Sequence, residues 1–189
     1  MKRLILLVAL ISMISAAGAE PPYGCYKQLR WGMTPEIARK TLAATESRTA
    51  TKDNIVELIF ASFFNLNNKK LDVTLFFKND KLFKVQIDFP ADDPHSQSCL
   101  PGATERVAGY AVLKEALNTK YGKAKKTIEE NKSPGTNMEV AICRQSGKME
   151  SEWETANSKI TLSANLVMLM QTKPVFAPLL VYIDKTQLQ

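Results

Sequence analysis

The stretch "LDVTLFFKNDKLFKVQIDF", residues 71–89, decides how this chain folds. It holds two alternating apolar runs, LDVTLFF and LFKVQIDF, on either side of Lys78-Asn79-Asp80-Lys81. Alternation with a period of two marks strands with one buried face, and the Asn-Asp centre marks a turn. The pairing register follows from the side chains. A two-residue Asn79-Asp80 loop sets Leu75 against Lys84 and Val73 against Gln86. A loop one residue longer sets Phe77 against Phe83, Leu75 against Val85 and Val73 against Ile87. Only the second register gathers the apolar side chains on one face, and a one-residue slip would turn them to solvent. The sequence therefore predicts an antiparallel hairpin with the longer loop.

Upstream, residues 55–66 (IVELIFASFFNL) have strand length and composition. Before them a short helix is expected. Thr34 supplies an N-cap, Pro35 the first helical position and Glu36 an acid in the first turn. Ile37, Ala38, Thr41 and Leu42 would form its apolar side, and it should end near Ala44. Downstream, 90–102 reads as a loop and 104–121 as the main helix, with Val107, Tyr110, Leu113, Leu117 and Tyr121 at helical spacing and Gly122 as its stop. Residues 123–137 read as a polar connector, and MEVAIC (138–143) as a strand. MESEWET and KITLSANLVMLMQ form a hairpin around Ala156-Asn157-Ser158, the second run alternating from Ile160 to Met170, and LLVYID (179–184) closes the sheet. A helix, three strands, a second helix and three or four strands make an α+β fold. It is an antiparallel sheet with helices packed on one face, built from tandem α-β-β-β units. Residues 20–189 read as one domain or as two fused repeats, 20–95 and 96–189.

The N-terminus gives the address. Lys2 and Arg3, an apolar run from Leu4 to Ile14, and Ala17-Gly18-Ala19 before Glu20 fit a signal peptide over 1–19. The apolar run is too short for a stable anchor. A periplasmic or secreted protein with no stable membrane span is expected. The formal charge is +6, and two of its positive charges, Lys2 and Arg3, leave with the leader. The remaining lysines are scattered, which argues against nucleic acid as a partner. Cys25, Cys99 and Cys143 survive cleavage, and in an oxidising compartment two of them pair. All three pairings are open on sequence. Cys99 and Cys143 share the second half of the chain, which favours that bridge. Its closed loop would contribute roughly 3–4 kcal/mol in the chain-entropy model.

The segment Gly32-Met33-Thr34, with Leu42 eight residues after Thr34, resembles the opening motif of SmpA/OmlA (BamE-like) domains of the bacterial envelope. The variant with Trp before the Gly, Trp31-Gly32-Met33, resembles a diffuse group of small exported domains of unassigned function. LNTKYGKA, residues 117–124, is similar to a segment at the end of the second helix in that group. The duplicated helix-and-strands order is similar to the β-lactamase-inhibitor-protein fold. Ala38 stands where BamE-like domains carry Val, no lipidated Cys is present, and this chain has a second α-β unit. These resemblances imply binding proteins or assembly accessories, not catalysts.

The residues themselves point the same way. His95 is the sole histidine. Asp92, Asp93 and His95 crowd into four residues split by Pro94, which is poor metal-ligand spacing. No G-x-S-x-G elbow and no Gly-rich phosphate loop occurs. Glu150, Glu152 and Glu154 alternate as a solvated strand face does. No catalytic residue, cofactor or metal is assigned. The binding candidates are Trp31, Met33 and Trp153. Capping accounts for Thr34 and Pro35, a tight turn for Gly32 and a hydrophobic staple for Met33. Trp31 and Trp153 are either core plugs or partly exposed anchors of the kind enriched in binding hot spots. Seven phenylalanines (Phe60, Phe63, Phe64, Phe76, Phe77, Phe83 and Phe89) crowd three adjacent strands and cannot share one buried face. A non-enzymatic protein that binds another envelope or secreted protein is expected. The alternative is a periplasmic carrier of a small apolar ligand or lipid.

Overall fold

The computed structural model describes residues 28–43, 48–66, 69–89, 99–169, 173–176 and 179–188. The leader at 1–19, its cleavage site, Cys25, Asp92, Asp93, His95 and Met170 lie outside the described residues. The elements are α1 (Pro35–Leu42), β1 (Arg48–Lys52), β2 (Ile55–Leu66), β3 (Lys69–Lys78) and β4 (Lys81–Asp88). There follow α2 (Leu100–Tyr121), β5 (Lys126–Asn131), α3 (Met138–Cys143), β6 (Gly147–Glu154), β7 (Ser158–Ser163), β8 (Leu166–Leu169), β9 (Lys173–Phe176) and β10 (Leu180–Asp184). An eight-stranded sheet runs in the order β1-β2-β3-β4-β10-β7-β6-β5, and β8 and β9 make a separate ribbon. All its neighbours are antiparallel. The order is a mirror. The meander β1 to β4 meets the meander β5-β6-β7-β10 last strand to last strand. This is an α+β fold with its helices on one side.

The decisive hairpin keeps the expected register along its length, with Leu75 opposite Val85 and Val73 opposite Ile87. The turn corrects the expectation. Lys78 pairs with Lys81 and Phe77 with Leu82, so the loop is Asn79-Asp80 alone. Both residues have positive φ, 52° and 57°, the backbone of a type I′ turn, whose twist matches that of paired strands. The extra residue sits inside β4 instead. Phe83 is bulged between the pairs Phe77–Leu82 and Phe76–Lys84. The bulge lets a favourable turn and the favourable apolar register coexist.

Inward side chains of both meanders join one core. Phe60, Leu75 and Phe77 of the first lie in the same cluster as Trp153, Ile160 and Tyr182 of the second, with Ala38 of α1, Leu113 of α2 and Ile142 of α3. Thr34 Oγ1 accepts the Ile37 N–H, capping α1, which stops at Leu42 with Ala43 left-handed at φ 48°. Ile37, assigned to the apolar side, is 49% exposed, while Ala38 is buried. So short a helix touches the sheet with about one residue per turn. α2 begins a turn earlier than predicted, at Leu100 with Pro101 in its first turn, and stops at Gly122, φ 81°.

Four more expectations are corrected. Residues 126–131 of the supposed connector form β5, an edge strand exposed at all but Ile128. An edge strand wet on both faces needs no apolar alternation, so the pattern carries no signal. MEVAIC is helix α3, not a strand. Asn137 Oδ1 accepts the Val140 N–H at 3.0 Å as its N-cap. A Cβ on Gly147 would lie 2.7 Å from the Ile142 nitrogen, so only glycine lets β6 start under α3. The run from Ile160 is not one strand. β7 stops at Ser163, where Asn165 Oδ1 turns aside to accept the Met149 N–H at 2.6 Å. LLVYID does not close the sheet at an edge. β10 lies between β4 and β7 at its centre. Among the described residues no helix is long and apolar enough to cross a membrane.

Candidate functional site

The helices cover one face of the sheet, and strand alternation sends every second side chain to the other. On that open face the register lays residues in rows. One row runs from β1 to β6: Ala50, Glu57, Phe76, Lys84, Ile183, Lys159 and Glu154. The next crosses from edge to edge: Arg48, Ile59, Thr74, Gln86, Val181, Thr161, Glu152 and Lys126. The middle residues of both rows, from Glu57 to Lys159 and from Ile59 to Thr161, are partly exposed. The centre of the face is therefore a band of two apolar pairs, Ile59 with Phe76 and Val181 with Ile183, separated by Lys84 and Gln86 of β4, with Thr74 and Thr161 beside them.

The two ends of this face differ in charge. On β5, β6 and β7 the lysines are matched with glutamates. Lys159 meets Glu152 at 3.2 Å, Lys126 and Lys148 meet Glu150 at 4.0 and 3.6 Å, and Lys125 meets Glu154 at 2.8 Å. The Lys125 hydrogen bond holds the Glu154 carboxyl below its usual range. Exposed pairs of this kind are screened by solvent, so they tune the surface more than they stabilise it. On β1 to β4, Lys84 Nζ lies over the Phe76 ring at 4.0 Å. Burial lowers the Lys84 ammonium from its ordinary value, and nearby Glu57 pulls it back up. Among the described residues Arg48, Lys52, Lys78 and Lys81 make no ion pair.

The predicted site residues separate by role. Trp31 is half-buried, and its Nε1 donates to Ser158 Oγ at 3.0 Å. Its segment is stitched to β4: Gly32 N donates to the Leu82 carbonyl and Leu82 N to the Met33 carbonyl, both at 2.9 Å. Met33 and Trp31 both pack against the core on the helix side. Trp153 is core outright. It is 1% exposed, and its Nε1 donates to the Gly122 carbonyl at 3.0 Å and to Asn118 Oδ1 at 3.2 Å. That leaves it no surface for anchoring a partner. Cys99 and Cys143 form a disulfide with Cα atoms 5.8 Å apart, tying the start of α2 to the end of α3.

Two features were not read from the sequence. One is the central band itself, whose signal was β10: Val181 and Ile183 are apolar on the face opposite the buried Leu180 and Tyr182, so the strand reads apolar on both faces instead of alternating. The other is Arg106, buried in α2 with its guanidinium 2.5 Å from Asp88 Oδ1. Phe176 and Phe89 cover it, with ring centroids 4.5 and 5.4 Å from the guanidinium carbon. Burial pushes the Asp88 carboxyl up, and Arg106 pulls it back down. Arg106 lies one turn before Tyr110 on the helix's apolar stripe, which is the sequence sign of a buried arginine. Among the described residues no group of three or more His, Cys, Asp or Glu side chains is placed to hold a metal ion.

A protein-family model described as an uncharacterised protein matches residues 26–182. The chain belongs to that family, one of unassigned function. No curated protein and no solved structure matches it.

Proposed function

We propose that this member of the family is a non-enzymatic exported protein that docks another protein on the open face of its sheet. The observation that carries the reading is the central band: Ile59 and Phe76 on β2 and β3, and Val181 and Ile183 on β10, flank Lys84 and Gln86 of β4 on the side away from the described helices. Apolar groups across the middle of a sheet face that no described helix covers give a partner surface to bury, with Lys84 between them and further charged residues to either side as a rim. The resemblance to BamE-like domains and to the β-lactamase-inhibitor-protein fold adds the same class of role: inhibitor, immunity or envelope-assembly accessory. The leader at 1–19 and a disulfide suited to an oxidising compartment support a periplasmic or secreted location. The mirrored strand order supports two fused repeats sharing one sheet.

The test is affinity capture from an envelope extract, comparing the parent protein with Val181→Glu and with Trp31→Ala, each checked for an unchanged thermal transition. Capture of one protein by the parent and by Trp31→Ala, and its loss with Val181→Glu, would support docking on the face. Equal capture by all three would remove the face from the reading. A small apolar molecule released from the parent, with no protein captured, would replace the docking protein with a carrier.

A further inference from the structure

We infer that the docked partner is acidic, and that it lays a segment with carboxylates beside an apolar side chain on the β1–β4 half of the open face. This rests on the docking-face reading and adds the chemistry of the partner.

The charge layout carries it. The β5–β7 end neutralises itself through its lysine–glutamate pairs. The β1–β4 end does not. At its turn end one row reads Lys52, Ile55, Lys78, Lys81. Lys78 and Lys81 are directly opposite each other, an arrangement of like charges that costs stability in a sheet. Arg48 adds a further cation on β1, beside Ile59. The acids nearby are Glu57 in the adjoining row and Asp53 and Asp80 in the turn tips, and none of the three pairs with these cations. The uncompensated cations thus border the apolar pair Ile59 and Phe76.

Lys84 is the centre of this surface. It is half-buried on a middle strand, its ammonium sits on the Phe76 ring, and burial already lowers its affinity for a proton. Much of the water that an incoming carboxylate would have to strip from it has gone on folding. An ion pair formed there under a partner's cover is worth more than one at the rim. A carboxylate at Lys84 with an apolar side chain over Ile59 and Phe76 meets both features of the face at once. The lysine row at the turns would then steer an acidic segment into place.

The experiment is amide-shift mapping by NMR on the whole protein, titrated with a synthetic Glu-rich peptide carrying one Phe. A peptide with Gln in place of Glu and vesicles of anionic phospholipid are the comparison probes. We expect the Glu peptide to shift β1–β4 amides, centred on Ile59, Phe76 and Lys84, and the Gln peptide to bind at least about tenfold more weakly. Lys84→Gln, which removes a charge that burial disfavours, should keep the fold and weaken the Glu peptide about tenfold. Lys78→Glu with Lys81→Glu, both exposed, should weaken it as much, mainly through a slower association rate. Equal binding of both peptides, shifts confined to β5–β7, indifference to both sets of variants, or no shift at all would overturn the inference. Vesicle binding without peptide binding would replace the acidic protein with a membrane surface. A captured protein lost with Val181→Glu but kept by the Lys84 and Lys78/Lys81 variants would leave the docking face standing and remove the acidic partner alone.

Discussion

The β1–β4 meander and the β5-β6-β7-β10 meander run the same course and are supported differently. The first is held by apolar burial and tight turns: Leu58, Leu71, Val73, Leu75 and Phe77 are fully buried, and Asp53-Asn54 and Asn79-Asp80 turn with positive φ. The second adds polar stitching to its buried Trp153, Ile160 and Leu162. Tyr110 of α2 shares a 2.7 Å hydrogen bond with Ser151 of β6, and Ser151 shares one of 3.1 Å with Thr127 of β5. Trp153 is tied to the end of α2, and the disulfide ties its start to α3. The difference teaches where each half takes its order from. Regular alternation lets a sheet half organise itself by burial. Strands as polar as β5 and β6 need neighbours to hold them, and α2 is that neighbour.

The largest effect should come from the link between the halves. Arg106→Met strands the Asp88 carboxylate in a buried place and should cost about 3–5 kcal/mol in urea unfolding. The double variant with Asp88→Asn should recover much of that loss, because removing both charges also removes their desolvation. The Asp88 carboxyl is raised, so the folded state holds this proton more tightly than the unfolded state does. Its contribution is complete below the ordinary carboxyl value of 3.8 and is lost as pH climbs through the raised value. If Arg106→Met were neutral, the shared core and the β4–β10 pairing would hold the halves together without help from this ion pair.

Next comes the disulfide. Replacing Cys99 and Cys143 together by Ala should cost up to about 4 kcal/mol, the chain-entropy figure for a bridge whose cysteines lie 44 residues apart. Hydrogen exchange should quicken in α3 and the start of α2 and stay unchanged in β2 and β3. Quickening in both halves would mean that they unfold as one unit. Tyr110→Phe should cost about 1–2 kcal/mol by leaving Ser151 short of a partner. Burial pushes the Tyr110 phenol up to about 12 from 10.0. The parent should therefore keep this contribution below pH 10 and lose it between 10 and 12, and the variant should lack that loss. Smallest is Asp80→Gly. Glycine is at ease with the φ of 57° there, so the β3–β4 hairpin should gain roughly 0.5 kcal/mol, read as a higher transition temperature. A loss would show that the Asp80 side chain supports the turn.

The sequence was a good guide wherever one side chain in two had to be buried. The register of residues 73–76 against 84–87, the strand over 55–66, the α2 stop at Gly122 and the α1 cap were all legible, because alternation and capping are local. It was a poor guide where the pattern was weak or doubly satisfied. β5 has no apolar face, MEVAIC suits a helix as well as a strand, and Phe83 could be placed only by weighing a turn against a register. The site divides in the same way. Trp153 was visible as a large aromatic, but whether it faced core or partner depended on where Gly122 and Asn118 stood. The central band could not be seen until β10 was placed beside β4.

The amino-acid order alone determined the fold class, the strand register of the β3–β4 hairpin and the cap of α1, because each rests on neighbours within a few residues. Only the tertiary structure decided that the last strand lies in the middle, that Arg106 reaches Asp88, that Cys99 bonds Cys143, and that uncompensated lysines gather at one end of the open face. Those outcomes join residues far apart in sequence, and their energies exist only once burial has brought the two sides together.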